Sequence, residues 1–207
     1  MADGYVLEIP EMVGVPLSPQ RTPQAATQAW PAGTVIISAD SHMLEPDLWI
    51  GRFPEHLKDQ APRMVFENGG WQLSIGGKPM TQPKIAADLC TTLECAPGMT
   101  DMAARLSDLD VEGVEKELIF PQRLFGLYMF GEMMNRAETF GAYNEHIAEV
   151  CAASGGRLFS VMVPNYWDPA QAKASVARCA DLGARCLMVP IKPGKDVDGE
   201  PIQYSDP

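Results

Sequence analysis

The sequence predicts an α/β protein built on parallel strands, and three observations predict it. Four short apolar runs, "TVIISA" (34–39), "KELIFP" (116–121), "RLFSVMVP" (157–164) and "RCLMVP" (185–190), have the length and apolar content of buried strands. Each of the last three follows a stretch with helical character, and each ends in proline before a loop. Strands that alternate with helices pair in parallel through right-handed crossovers, and their nearly unbroken apolarity suits burial on both faces. A doubly wound sheet and part of a (β/α)8 barrel both satisfy this pattern.

Residues 1–33 carry many prolines and little periodicity, which predicts an extended arm ahead of the domain at 34–207. After the first strand, "LWIGRFPEHLKDQAPRM" suggests a short helical turn stopped by Pro62. "MVFENGGWQLSI" sets two apolar runs around Asn68-Gly69-Gly70, a hairpin signal because asparagine and glycine tolerate positive φ. With the loop-like stretch up to residue 100, this forms an insertion over 50–100. Thr100 or Asp101 can cap a helix through "MAARLSDLDVEG", with Met102, Leu106 and Leu109 on its apolar side and a stop near Gly113. A second helix covers "EMMNRAETFGAYNEHIAEVCAAS", closed by Gly155-Gly156. The third, "DPAQAKASVARCADLG", has Asp168 as cap, Pro169 at its first position and Gly183 at its end.

Composition narrows the function. The 207 residues fit one domain with a sizeable core, at 46% hydrophobic and 21% charged. A net charge of −11 with no basic cluster argues against nucleic acid and anionic membranes as partners. No window reaches the roughly 18 apolar residues of a membrane span, and the acidic, proline-broken N-terminus lacks a signal peptide's basic region. Of five cysteines, Cys151, Cys179 and Cys186 sit among apolar neighbours as small core residues. Cys90 and Cys95 flank "TTLE" without completing a zinc site. Reduced thiols in a cytoplasmic protein are the expectation.

The chemistry-bearing motif is "ADSHMLEP", where the first strand ends. Residues two apart on a strand point the same way, so Asp40 and His42 project together from its carboxyl end, where α/β folds collect ligands. A carboxylate beside an imidazole suits Zn²⁺ or another divalent first-row metal, although a catalytic site needs about three protein ligands. The plainer alternative is that Asp40 hydrogen-bonds His42 or caps the following turn. Glu45 is a candidate to orient His42 from behind, or simply a turn acid.

These residues carry a family resemblance. "ISADSHMLEPDLWIGRFPEHLKDQAPRMV", "RLSDLDVEGVEKELIFP", "AYNEHIAEVCAASGGRLFSVMVP" and "ADLGARCLMVP" resemble, in order, blocks of the amidohydrolase-2 family. This group contains metal-dependent hydrolases and decarboxylases related to aminocarboxymuconate-semialdehyde decarboxylase and γ-resorcylate decarboxylase. The resemblance implies a (β/α)8 barrel with one divalent metal, zinc or manganese, at its carboxyl face, with Asp40 and His42 matching the family's acid-x-His pair. It also implies two histidines on middle strands and a late aspartate, which nothing here fills. His56 lies in the early insertion and His146 within a helix. Four strand–helix registers by residue 190, against eight in a barrel of about 250 residues, lead us to expect the amino-terminal half of such an enzyme.

The loop "FPQRLFGLYMFGEMM" after the second parallel strand offers Phe120, Phe125, Leu127, Tyr128 and Phe130 as an apolar substrate wall. Arg123 is there to hold a substrate carboxylate; a packed loop with Arg123 in solvent is the plainer reading. "VPNYWDP" offers Asn165, Tyr166 and Trp167 to the same face, or merely a helix entry. "IKPGKD" lacks the spacing of a phosphate loop, and neither a Gly-x-Ser-x-Gly elbow nor a dinucleotide fingerprint appears. Two functions follow. One is metal-dependent hydrolysis or nonoxidative decarboxylation of a small aromatic or cyclic carboxylate. The other is a catalytically silent half-barrel held in a homo-oligomer through its open sheet edges.

Overall fold

The computed structural model describes residues 30–45, 48–67, 70–79, 85–86, 97–122, 124, 134–190 and 193–205. The expected arm therefore lies almost wholly outside the described residues. Among the described residues four parallel strands form the main sheet: β1 (Ile37–Met43), β6 (Lys116–Pro121), β7 (Leu158–Met162) and β8 (Cys186–Leu187). Their order is β1-β6-β7-β8. Among the described residues each new strand adds on the same side as the last, without the reversal that defines a doubly wound sheet.

Three helices make the crossovers: α2 (Met102–Glu112), α3 (Arg136–Ala153) and α4 (Pro169–Asp181). They share one core with one face of the sheet. Leu109 of α2, Phe140, Tyr143 and Ile147 of α3 and Cys179 of α4 pack with Met43, Ile119, Leu158 and Met162. Local chemistry sets the helix ends. The Asp101 carboxylate accepts the Ala104 N–H at 2.7 Å, and Asp168 accepts that of Ala170 at 3.0 Å with Pro169 next in line. Gly113, at φ +69°, ends α2 in the left-handed conformation that costs glycine least.

The insertion forms a separate small sheet, preceded by α1 (Trp49–Arg52) and a 3-10 segment at Glu55–Gln60. β2 (Arg63–Glu67) and β3 (Gly70–Ile75) pair antiparallel; residues 68 and 69, where the turn is expected, lie outside the described residues. β4 (Lys78–Pro79) and β5 (Ile85–Ala86) also pair with β3. α1 docks on α3 through Trp49, fully buried, whose indole N–H donates to the Thr139 carbonyl at 3.0 Å.

Two expectations need correction. β1 is not buried on both faces: Ile37 is 58% exposed, because among the described residues β1 pairs only with β6. Cys186 is exposed rather than a core residue, because β8 is the opposite outer strand and pairs only with β7 there. Cys151 is half-buried, its thiol pushed up to about 11 by burial, and Cys179 is buried. Cys90 and Cys95 lie outside the described residues.

Candidate metal centre

Asp40 and His42 do meet, by a less direct route than simple alternation. β1 advances from Ser38 to Ser41 while its partner β6 advances only from Glu117 to Ile119. The extra residue is a β-bulge, which inverts the side-chain alternation beyond it. Ser41 and Met43 consequently turn to the helices and are buried, whereas Asp40 is exposed and His42 half-buried. The His42 Nε2 stands 3.6 Å from Asp40 Oδ1.

The imidazole is held from behind. His42 Nδ1 lies 3.0 Å from the Pro121 carbonyl oxygen. A carbonyl only accepts, so Nδ1 carries the hydrogen, and the basic nitrogen of the neutral ring is Nε2, on the side of Asp40. The Phe120 ring flanks it with centroids 5.8 Å apart. At 3.6 Å the pair is beyond hydrogen-bonding range. The spacing lies close to the ~3.3 Å that two ligands span on a tetrahedral Zn²⁺ with bonds of about 2.0–2.1 Å. The two donors thus fit one edge of a cation's coordination shell. Among the described residues, no group of three or more His, Cys, Asp or Glu side chains is arranged to hold a metal.

Glu45 works on the same turn. It is 3% exposed, and its Oε1 accepts the N–H groups of Gln122 at 3.0 Å and Leu124 at 3.3 Å. His42 and Glu45 therefore grip adjacent points where the chain leaves β6. Arg123, Phe125, Leu127, Tyr128 and Phe130 lie outside the described residues. Tyr143 and His146 of α3 line a small cavity with Glu45 and Phe120. Burial, reinforced by the Glu45 charge, raises the Tyr143 phenol well above its ordinary value, and its hydroxyl donates to the Val161 carbonyl at 3.2 Å. His146 is lowered, by burial first and by the Arg52 charge second.

Asn165 is placed elsewhere. Its side-chain oxygen accepts the Asp168 N–H at 3.2 Å, its own N–H donates to Ser175 Oγ at 2.8 Å, and it lines a cavity of about 260 Å³ between α3 and α4. Neither Asp40 nor His42 lines that cavity. Helix entry, the plainer reading, accounts for these bonds. Trp167 lines the same cavity, packed on Phe140 at 5.6 Å with the Arg136 guanidinium 4.8 Å from its ring centre.

Sequence reasoning missed the group behind the pair. Arg105 of α2 donates from Nε and Nη2 to the two carboxylate oxygens of Glu117, each at 2.7 Å, and also from Nη2 to Ser41 Oγ. Glu117 is 3% and Ser41 8% exposed. The available signal was an acid at an alternate position of the apolar strand "KELIFP", in phase with Ile119.

No family model matches the chain, and no curated protein matches it significantly. Solved structures do. An amidohydrolase from Mycobacterium avium subsp. paratuberculosis K-10 is similar over 76% of this chain and 50% of its own, with a TM-score of 0.56 and 15% identity. A 2,6-dihydroxybenzoate decarboxylase from Rhizobium matches 84% of this chain and 43% of its own, with a TM-score of 0.48 and 17% identity. A 2,6-dihydroxybenzoate decarboxylase complexed with 2,6-dihydroxybenzoate gives 0.49 at 17%. The chain thus spans half the length of the amidohydrolase, and at this identity what they share is the fold.

Proposed function

We propose that the chain carries the amino-terminal half of a (β/α)8 barrel of amidohydrolase type, with Asp40 and His42 supplying two of the ligands of one divalent cation. The observation that carries this reading is the 3.6 Å approach of Asp40 Oδ1 to His42 Nε2 with the ring's hydrogen committed to the Pro121 carbonyl. Metal-binding histidines are commonly oriented by such a backbone acceptor. The unreversed strand order and the likeness to an amidohydrolase of twice the matched length support the barrel.

A bound zinc or manganese would serve as Lewis acid, activating water for hydrolysis or anchoring an aromatic or cyclic carboxylate for nonoxidative decarboxylation. The chain's own contribution is positional. His42 is fixed in ring orientation by Pro121, Asp40 brings negative charge beside it, and Glu45 holds the turn that presents the Pro121 carbonyl. In this reading Phe125 and Tyr128 belong to the substrate wall and Arg123 holds a substrate carboxylate. Metal analysis of the purified chain tests the proposal. Zinc or manganese retained by the parent and lost from both Asp40→Ala and His42→Ala supports it, and equal retention in all three refutes it.

A second reading rests on the lack of a third ligand among the described residues and on the exposed apolar groups at both outer strands, Ile37 at 58% and Leu187 at 40%. On it, the chain is catalytically silent and acts, if at all, through association. Both readings lead us to expect little turnover from these 207 residues alone. Efficient metal-dependent hydrolysis or decarboxylation by the isolated chain would overturn that expectation.

A further inference from the structure

We propose that Arg105, Glu117 and Ser41 form a clamp across the β1 bulge that holds Asp40 and His42 on the face of the sheet away from the helices. The inference rests on the metal-centre reading for its purpose, but its geometry stands apart from any metal. Glu117 is the register partner of Ser38, the last residue paired before the bulge, and Ser41 is the first paired after it. One guanidinium bonds both. It therefore spans the irregular step from its near side to its far side.

The alternative that the clamp excludes can be read from the register. Without the extra residue, strict alternation from Ser38 would set Asp40 opposite Ile119 and His42 opposite Pro121. Ile119 and Pro121 are buried, and Glu117 shares their side of β6. The slipped strand would thus carry Asp40 into the helix layer, where two carboxylates would compete for one guanidinium. The bulged strand instead gives Arg105 a neutral hydroxyl and a single carboxylate, which its planar donor fork matches. Arg105 and Glu117 are 16% and 4% exposed at their side chains, so solvent does little to loosen the arrangement. Ser41, lying between the two candidate ligands in sequence, is the link through which α2 acts on both.

The clamp makes these three positioning residues, and the test reads position. The ring nitrogens of His42 are followed by ¹⁵N NMR, and Mn²⁺ affinity is measured alongside. The parent should show hydrogen on Nδ1. Ser41→Ala should redistribute it and weaken Mn²⁺ by about tenfold, the usual scale for support behind a metal ligand, and Ser41→Thr should restore both. If Ser41→Ala folds poorly, Glu117→Gln is read in the same way. A parent-like ring signature in both Ser41→Ala and Glu117→Gln overturns the clamp. A parent that fails to bind Mn²⁺ while its His42 signature still shifts in Ser41→Ala refutes the metal reading and leaves the clamp standing.

Discussion

The same strands build the two faces of the parallel sheet, yet those faces obey different rules. On the helix side, Ser41, Glu117, Ile119 and Met162 are all buried, and the polar groups among them find partners in Arg105. On the opposite side Asp40 has 88% and His42 32% of its side chain exposed, while Leu118, Phe120 and Phe159 are half-buried. The first face holds the fold, and the second carries the pair proposed to bind a cation. A single bulge decides which residues of β1 join which face. Substitutions on the helix side should accordingly cost stability, whereas those at Asp40 and His42 should cost cation binding with little loss of stability.

The largest stability loss should come from breaking the buried pair. Arg105→Met leaves Glu117 charged and enclosed, for an expected loss of about 3–5 kcal/mol in urea denaturation. An effect below about 1 kcal/mol would mean that solvent reaches the pair and that the two faces do not differ in this way.

Glu45→Ala comes next. It removes the acceptor of the Gln122 and Leu124 N–H groups at a 3%-exposed position and should cost about 1–3 kcal/mol. Glu45→Gln keeps an acceptor oxygen and should recover part of the loss. If the two variants behave alike, the carboxylate's bonds to the β6 exit are not what matters there.

His146 supplies a smaller, pH-dependent effect. Its folded-state value is lowered from 6.5, chiefly by burial, so on acidification the unfolded chain takes up this proton first. Stability is therefore unpenalised above about 6.5 and declines as pH falls through that value, levelling off below the folded-state value. His146→Gln should flatten this part of the stability–pH curve; an unchanged slope would place its origin elsewhere. Asp40→Ala should be the mildest, within about 0.5 kcal/mol, because its exposed side chain lies on the face that does not hold the fold.

The contrast also explains what the sequence could disclose. Asp101, Asp168, Pro169 and Gly183 mark helix ends through bonds and backbone angles local to each end, and the helices start and stop where those residues predict. The pairing of Asp40 with His42 was legible because residues two apart on a strand share a side, and that relation survives on the far side of the bulge. Which side they share was not legible, because it depends on register with a strand dozens of residues away. Ser41, Arg105 and Glu117 escaped notice for the same reason. Cys186 misled because an apolar neighbourhood in sequence does not say that a strand will be outermost. Asn165 follows a strand, as a substrate-facing residue would, but its amide is taken up by the start of α4.

Whether Asp40 and His42 grip a cation together is decided by equilibrium binding of Mn²⁺ or Zn²⁺ to the 207-residue chain, followed by calorimetry. One site per chain is expected, weakened by about tenfold or more in both Asp40→Ala and His42→Ala, with folding intact. A chain that binds no cation, or one whose site survives both substitutions, would contradict it.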